Sequence, residues 1–394
     1  MPRRFSRIDE LPSYAFAAVD ALKLELRRAG HDVIDLGFGN PDIPPAPVAV
    51  EKLREAAEKP RNHRYSLSRG LPRLREAVCA IYRDRFGVEL DPETQALATI
   101  GAKEGMTHLM WVLAEPGDAV IVPTPCYPIH AAAPFLAGAS VVRAPVAGGV
   151  DAVAEAVESS REPVRAIVIS FPHNPTTACV ELDTLERLVA LAREHEALLV
   201  HDFAYADISF DGYEPPSVLQ VDGAADVAVE LYSLTKGYSM AGWRVGFVLG
   251  NADAVRALGR LKSWLDYGTF QPIQIGATVA MQTASDYPHE VCAIYKRRRD
   301  ALCDALARIG WPVERPRGTM FVWAPIPEPY AALGSDEFAL RLARDAHVAV
   351  SPGVGFGRGG EGFVRFALVE NEQRIRQAVR GIRAALPELA AVAS

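Results

Sequence analysis

The sequence predicts an α/β chain with a large mixed, mostly parallel sheet and a smaller α+β part. Two observations predict the large sheet. Segments of helical periodicity alternate with short apolar runs, the order that βαβ units produce. Those runs read ALATIG, AVIVP, RAIVIS, ALLVHD and VAVELYS, and such unbroken apolar stretches suit strands covered on both faces. A third observation predicts the smaller part. Past about residue 290, helical segments interleave with MFVWAPI, VAVSP and FVRFALV, which describes a second, small sheet.

Taken in chain order, the first helix covers about Ala15 to Arg28 and stops at Gly30. It is expected to join the smaller part. LPRLREAVCAIYRDRFG places Leu71, Leu74, Val78, Ile81 and Tyr82 on one helical face, with Gly87 as the stop. Asp183 and Glu186 have the spacing of a capping box ahead of Leu185, Leu188, Val189 and Ala192. YKRRRDALCDALARIG and SDEFALRLARDAH read as later helices. The division this implies is a large lobe at 46–288 and a small lobe made from 1–45 and 289–394.

With 394 residues, 49% of them hydrophobic, the chain can bury a large core. A net charge of −7 leaves no basic surface for nucleic acid. The first residues, MPRRFSRIDELPSY, lack the apolar stretch of a secretory signal, and the apolar runs are too short for a bilayer. Five cysteines without a CxxC pair argue against a disulfide framework, so a cytoplasmic location is expected. The nine histidines show no metal-ligand spacing.

In an open α/β sheet, ligands sit beyond the carboxyl ends of the strands. ALATIG runs into Gly101, Ala102 and Lys103 and then opens a helix. AVIVP is followed by Thr124, Cys126 and Tyr127. RAIVIS leads to His173, Asn174 and Pro175. ALLVH ends in Asp202 with Tyr205 close behind, and VAVELYS ends in Ser233 with Lys236 close behind. Five strands thus aim an amide nest, an aromatic ring, an amide, a carboxylate and an amine at one edge. These parts meet the needs of pyridoxal 5′-phosphate. Its aldehyde requires a lysine to hold it as a Schiff base, and its ring nitrogen requires a carboxylate. Its phosphate requires backbone amides at a helix start.

The stretches GFGNPD, HRYSLSRGLPRLREAV, GAKEG, CYPIH, FPHNPT, HDFAYAD, SLTKGYSMAGWRVG and VRFALVEN, in this order, resemble the class I/II aminotransferases. These are enzymes of the fold-type I group that depend on pyridoxal phosphate. The resemblance implies that Lys236 binds the cofactor aldehyde and then moves a proton from the substrate α-carbon. It implies that Asp202 faces the ring nitrogen, that Tyr127 stacks on the ring, and that Asn174 and Tyr205 bond its phenolic oxygen. Arg244, Ser233 and the amides of Gly101, Ala102 and Lys103 would hold the phosphate. Tyr65 would reach the phosphate of a neighbouring subunit, which implies a homodimer with shared active sites.

Arg365 matches the arginine that binds the substrate α-carboxylate. In FVRFALV both its flanks are apolar, so its guanidinium needs an anion; Glu370 or Glu372 could be an internal one. Gly39 would bring a backbone amide to the same carboxylate, and Tyr14 would lie over the substrate side chain. Arg69 and Arg317 are candidates for a second carboxylate. The glycine cluster SPGVGFGRGG reads as a mobile turn near the substrate. The resemblance implies transfer of an amino group between an L-amino acid and a 2-oxo acid. HRYSLSRG, CYPIH, HDFAYADI, LDYGTFQPIQ and VSPGVGFG are similar to bacterial alanine-forming (glutamate–pyruvate) aminotransferases. LL-diaminopimelate, methionine or aromatic substrates are the alternatives, as is another pyridoxal phosphate reaction such as C–S β-elimination.

Overall fold

The computed structural model describes residues 5–11 and 16–393. Its strands are β1 (Ile34–Asp35), β2 (Ala96–Thr99), β3 (Ala119–Thr124), β4 (Ser140–Pro145), β5 (Val164–Ile169) and β6 (Leu198–Asp202). They continue with β7 (Ala228–Ser233), β8 (Gly246–Gly250), β9 (Phe321–Pro325), β10 (Val348–Ala349), β11 (Ser351–Pro352) and β12 (Phe363–Ala367). Seven strands form one sheet in the order β2-β8-β7-β6-β5-β3-β4. The pairs β4/β3, β3/β5, β5/β6 and β6/β7 are parallel. β8 runs antiparallel to both its neighbours, so one strand opposes the other six.

All five apolar runs of the large sheet are strands, and β4 and β8 complete it. Alternate residues of each strand enter hydrophobic clusters on opposite faces, as the two-residue pleat requires. Ile121, Ile167, Leu199 and Tyr232 meet the helices on one face, while Val120, Val168, Val200 and Leu231 meet those on the other. Pro72–Phe86 is the first covering helix. It buries Leu74, Val78 and Tyr82 and ends at Gly87 with φ 68°, a left-handed turn that glycine adopts without a Cβ clash. The capping box at Asp183 does not form. The helix starts two residues earlier than that spacing requires, at Leu182, with Glu181 at its N-cap, and Asp183 Oδ1 accepts the amide of Thr184 at 2.7 Å instead.

A third cluster lies outside the large sheet. β11, β12 and β9 form a three-stranded antiparallel sheet, and β1 pairs in parallel with β10. Val19, Val33 and Leu36 pack there with Phe321, Val348, Phe366 and Ile382. Val19 belongs to the helix Ala17–Arg28. The glycine-rich stretch after β11 is tightly seated: a Cβ on Gly353 would lie 1.9 Å from the Gly360 carbonyl oxygen, and the Phe356 carbonyl accepts the Cys126 amide at 2.8 Å.

One buried carboxylate braces the large sheet. Glu230, in the middle of β7, accepts Tyr82 Oη at 2.5 Å, Ser217 Oγ at 2.8 Å and the Val218 amide at 2.8 Å. His201 Nδ1 lies 2.8 Å from its second oxygen. Every acceptor site is filled, which is what makes a fully buried carboxylate tolerable.

Candidate functional site

The carboxyl ends of β2, β3, β5, β6 and β7 open into a cavity of about 380 Å³. Gly39, Ala102, Lys103, Tyr127, Asn174, Asp202, Tyr205, Ser233, Lys236, Arg244 and Arg365 all line it. Gly101 sits at its rim, with φ 76° at the N-cap of the helix Ala102–Leu113. Most of the residues singled out in the sequence therefore meet in one place. Tyr14 lies outside the described residues. Tyr65 is 82% exposed and rests on Tyr267, with ring centroids 4.5 Å apart. Arg69 bonds the Glu93 carbonyl, and Arg317 faces Glu181 at 3.3 Å and covers the Tyr213 ring. Neither arginine lines the cavity.

Lys236 follows β7 by three residues, and its Nζ donates to the Gly39 carbonyl at 2.9 Å. It is thus the Gly39 carbonyl, rather than its amide, that the structure turns toward a functional group. A Cβ on Gly39 would stand 2.6 Å from the Phe321 ring, so only glycine fits. Burial of the Lys236 amine, followed by the charges of Arg365 and Arg244, pushes its pKa down to about 7 against the pull of Asp202. An ordinary lysine is almost wholly protonated at neutral pH; this one is about half free base.

Asp202 closes β6 and is 8% exposed. Its Oδ2 lies 2.8 Å from His130 Nε2, and its Oδ1 accepts the Ala204 amide at 3.3 Å. His130 is fully buried. The sequence reading passed over it, although it stands one helical turn beyond Tyr127, on the same face, in a helix beginning at Pro128. Tyr127 and His130 meet edge to face. Burial pushes the Tyr205 hydroxyl pKa well up, so that hydroxyl stays a hydrogen-bond donor.

Arg365 enters from β12, in register with Ser351 and Trp323. Its Nη1 donates to Asn174 Oδ1 at 2.6 Å and its Nη2 to the Gly37 carbonyl at 3.2 Å. The guanidinium lies 3.8 Å over Phe321 and 4.5 Å over Phe356. The two rings, Asn174 and the Gly37 carbonyl together hold the guanidinium in one orientation. Glu372 pairs with Arg297. Phe321 and Phe356 were also missed, since nothing in an apolar run marks which aromatic will meet a charge.

The turn Ile100–Lys103 tests whether an anionic group fits. A Cβ on Gly101 would lie 2.2 Å from Arg244 Nη2. The bare backbone therefore lets the guanidinium close on the amides at the helix start. Arg244 itself holds φ 56° in the left-handed region, a costly conformation for arginine. Its Nη1 is anchored on the Ala241 carbonyl at 3.0 Å. Helix amides, Arg244, Ser233 and Thr235 together make a cradle for a phosphate. Lysine, carboxylate and phosphate cradle fit pyridoxal 5′-phosphate.

The cavity extends past this set to Asp20, Lys23 and Asp35. Lys23 Nζ bridges the two carboxylates at 2.6 and 2.7 Å. This ion trio escaped the sequence reading because its members come from a helix and a two-residue strand.

The family model "Aminotransferase class I and II" matches residues 31–382. The chain is 51% identical over 385 residues to the glutamate-pyruvate aminotransferase AlaC of Escherichia coli, covering 97% of this chain and 93% of that protein. It is 41% identical to an LL-diaminopimelate aminotransferase of Desulforudis audaxviator, covering 96% of this chain and 97% of that protein. The substrate-bound structure of BacF from Bacillus subtilis superimposes with a TM-score of 0.90 at 34% identity, over 98% of both chains. Among the described residues, no helix is long and apolar enough to cross a membrane.

Proposed function

Because the chain belongs to the class I and II aminotransferase family, we propose that it moves the amino group of alanine to 2-oxoglutarate, and of glutamate to pyruvate, on pyridoxal 5′-phosphate held between Lys236 and Asp202. The family depends in general on this cofactor, and its members act on amino acids and 2-oxo acids. One observation carries the cofactor reading: an amine with a pKa near 7, a buried carboxylate and a glycine-lined anion cradle share one cavity. When bound, the cofactor supplies an aldehyde and a ring that withdraws electrons from the substrate α-carbon.

The chain's own groups do the rest. Lys236 Nζ, in its free-base form, would hold the aldehyde as an imine with loss of water, and when released by the substrate amine it would be the base placed to accept the α-proton. Asp202, oriented by His130 and the Ala204 amide, would keep a proton on the ring nitrogen. Asn174 and Tyr205 would donate to the phenolic oxygen, and Tyr127 would cover the ring. Amides of Gly101, Ala102 and Lys103, with Ser233 and Arg244, would bind the phosphate. Arg365 grips the substrate α-carboxylate and orients the α-hydrogen toward Lys236.

The lysine pKa sets a pH dependence. Uptake of cofactor by apoprotein requires the free amine, so its rate should rise through a midpoint near pH 7 and level off above about pH 8. Absorbance after rapid mixing across pH 5.5–9 reads this directly, and a rate still climbing steeply above pH 9 would contradict it.

Exposed Tyr65 and Tyr267 support a homodimer in which Tyr65 reaches the neighbouring phosphate. The hydrophobic clusters on the two faces of the large sheet draw on 46–288 alone, while the third draws mainly on 1–45 and 289–394 with Tyr205, Ile208 and Phe210 joining it, which supports a large lobe at 46–288 and a small one built from both chain ends. The five free thiols suit a reducing cytoplasm. The alanine preference draws on the 51% identity to AlaC. A panel of amino donors and oxo-acid acceptors tests it. Fastest turnover with alanine and 2-oxoglutarate is expected; preference for LL-diaminopimelate, methionine or an aromatic donor would replace the substrate assignment, and release of ammonia would replace the reaction.

A further inference from the structure

Behind the turn that opens the helix Ala102–Leu113 lies a polar cluster that touches no reacting atom. Lys262 is fully buried, with its Nζ 2.9 Å from Glu104 Oε1 and 2.9 Å from Asp266 Oδ2. His108 Nδ1 lies against the same Glu104 oxygen. Glu104, His108 and Asp266 bring possible metal-ligand atoms within 4.8 Å of one another, but the Lys262 ammonium already serves both carboxylates. The second oxygen of Glu104 accepts the backbone amide of Ile100 at 2.7 Å. A single chain of contacts therefore runs from the helix Ala252–Leu265 through Lys262 and Glu104 to the residue before Gly101. On its other side, Asp266 accepts the Gly268 amide at 2.7 Å, and its carbonyl accepts Ser68 Oγ at 2.6 Å.

This arrangement poses an electrostatic problem and contains its answer. A carboxylate in the first turn of a helix is favourable to the helix itself. In this helix, however, the same turn would hold a phosphate carrying nearly two negative charges, and an uncompensated Glu104 would repel it. Burial raises the Glu104 pKa, but the hydrogen bond from His108 and the charge of Lys262 outweigh it and keep the group ionised. A fully buried lysine is rare, and an apolar replacement for a buried ion pair is often as stable, so a purely structural need does not account for it.

We propose that Lys262 is a positioning residue for the cofactor phosphate. It neutralises Glu104 from behind and clamps it, so that the Ile100–Lys103 amides keep their direction. This rests on the reading that those amides cradle the phosphate.

Binding to apoprotein of pyridoxal 5′-phosphate and of pyridoxal, which lacks only the phosphate, provides the test. Lys262→Met should weaken pyridoxal phosphate at least about tenfold and leave pyridoxal unchanged. The double variant Lys262→Met with Glu104→Gln removes both charges and keeps an acceptor for Ile100, so it should bind pyridoxal phosphate close to wild-type affinity. That recovery supports the proposal even if the single variant does not fold. Equal weakening of both ligands, no weakening of either, or a double variant that binds poorly would each overturn it. Wild-type protein that binds the two ligands equally would overturn the phosphate cradle as well, which separates the two failures.

Discussion

Alanine in place of Lys236 should lower transamination by about 10⁴-fold or more while the chain still folds. One side chain both anchors the cofactor and moves the substrate proton. General acid–base transfer alone contributes about 10²–10⁴-fold, and loss of the anchor comes in addition. Steady-state turnover with alanine and 2-oxoglutarate reads the loss; near-normal turnover would remove Lys236 from the mechanism. The same amine also makes a stability prediction. Its folded pKa is about 7 against an ordinary 10.5. Below pH 7 both folded and unfolded chains carry the proton, and the fold bears the whole cost of a buried cation. Between pH 7 and 10.5 the unfolded chain still binds a proton that the folded chain has released, so stability rises with pH. Above 10.5 the difference is gone. Apoprotein carrying Lys236→Met should therefore melt higher than wild type at pH 6–7, and the gap should close toward pH 10.5. A gap that widens with pH would contradict the sign.

Arg365→Ala should reduce kcat/KM for amino acids by about 10²–10³-fold, chiefly through KM. Truncating one partner of a buried, hydrogen-bonded charge pair costs about 2–5 kcal/mol. Here the substrate carboxylate would lose the fork, and Asn174 would lose a donor at 2.6 Å. Arg365→Lys should recover little, because an ammonium cannot reproduce the planar fork held against the Phe321 and Phe356 rings. Initial rates over a range of alanine concentrations separate KM from kcat. An unchanged alanine KM in Arg365→Ala would take the carboxylate away from this residue.

The legible part of the site is the part written at strand ends. Asp202, Ser233 and Lys236 follow apolar runs directly, and parallel strands carry their ends to one edge. Arg365 stood out because a cation between apolar neighbours needs polar partners, and the structure supplies the Asn174 amide and the Gly37 carbonyl. Other contacts had no local signature. Whether His130 meets Asp202 depends on how a helix is rotated above the sheet. The reversed direction of β8 is invisible in GFVLG, since an apolar run reads alike either way along the chain. The Asp183 box failed because the helix begins at Leu182, which puts Asp183 inside its first turn, and helix ends are set by small differences among neighbouring residues. Lys262 sits on a helix whose charged residues mostly face solvent, and only Glu104 and Asp266 distinguish it.

The pairing of β1 with β10, and of Val19 and Leu36 with Phe366 and Ile382, also governs how the chain matures on the ribosome. The segment around Ile34 emerges before the strands of the large sheet, yet its partners are translated after them. The seven-stranded sheet can assemble from the nascent chain while that early segment waits with apolar side chains uncovered. Synthesis that stalls before β10 thus yields a chain with a finished sheet and an orphaned segment around Ile34, a natural target for holdase chaperones and quality-control proteases.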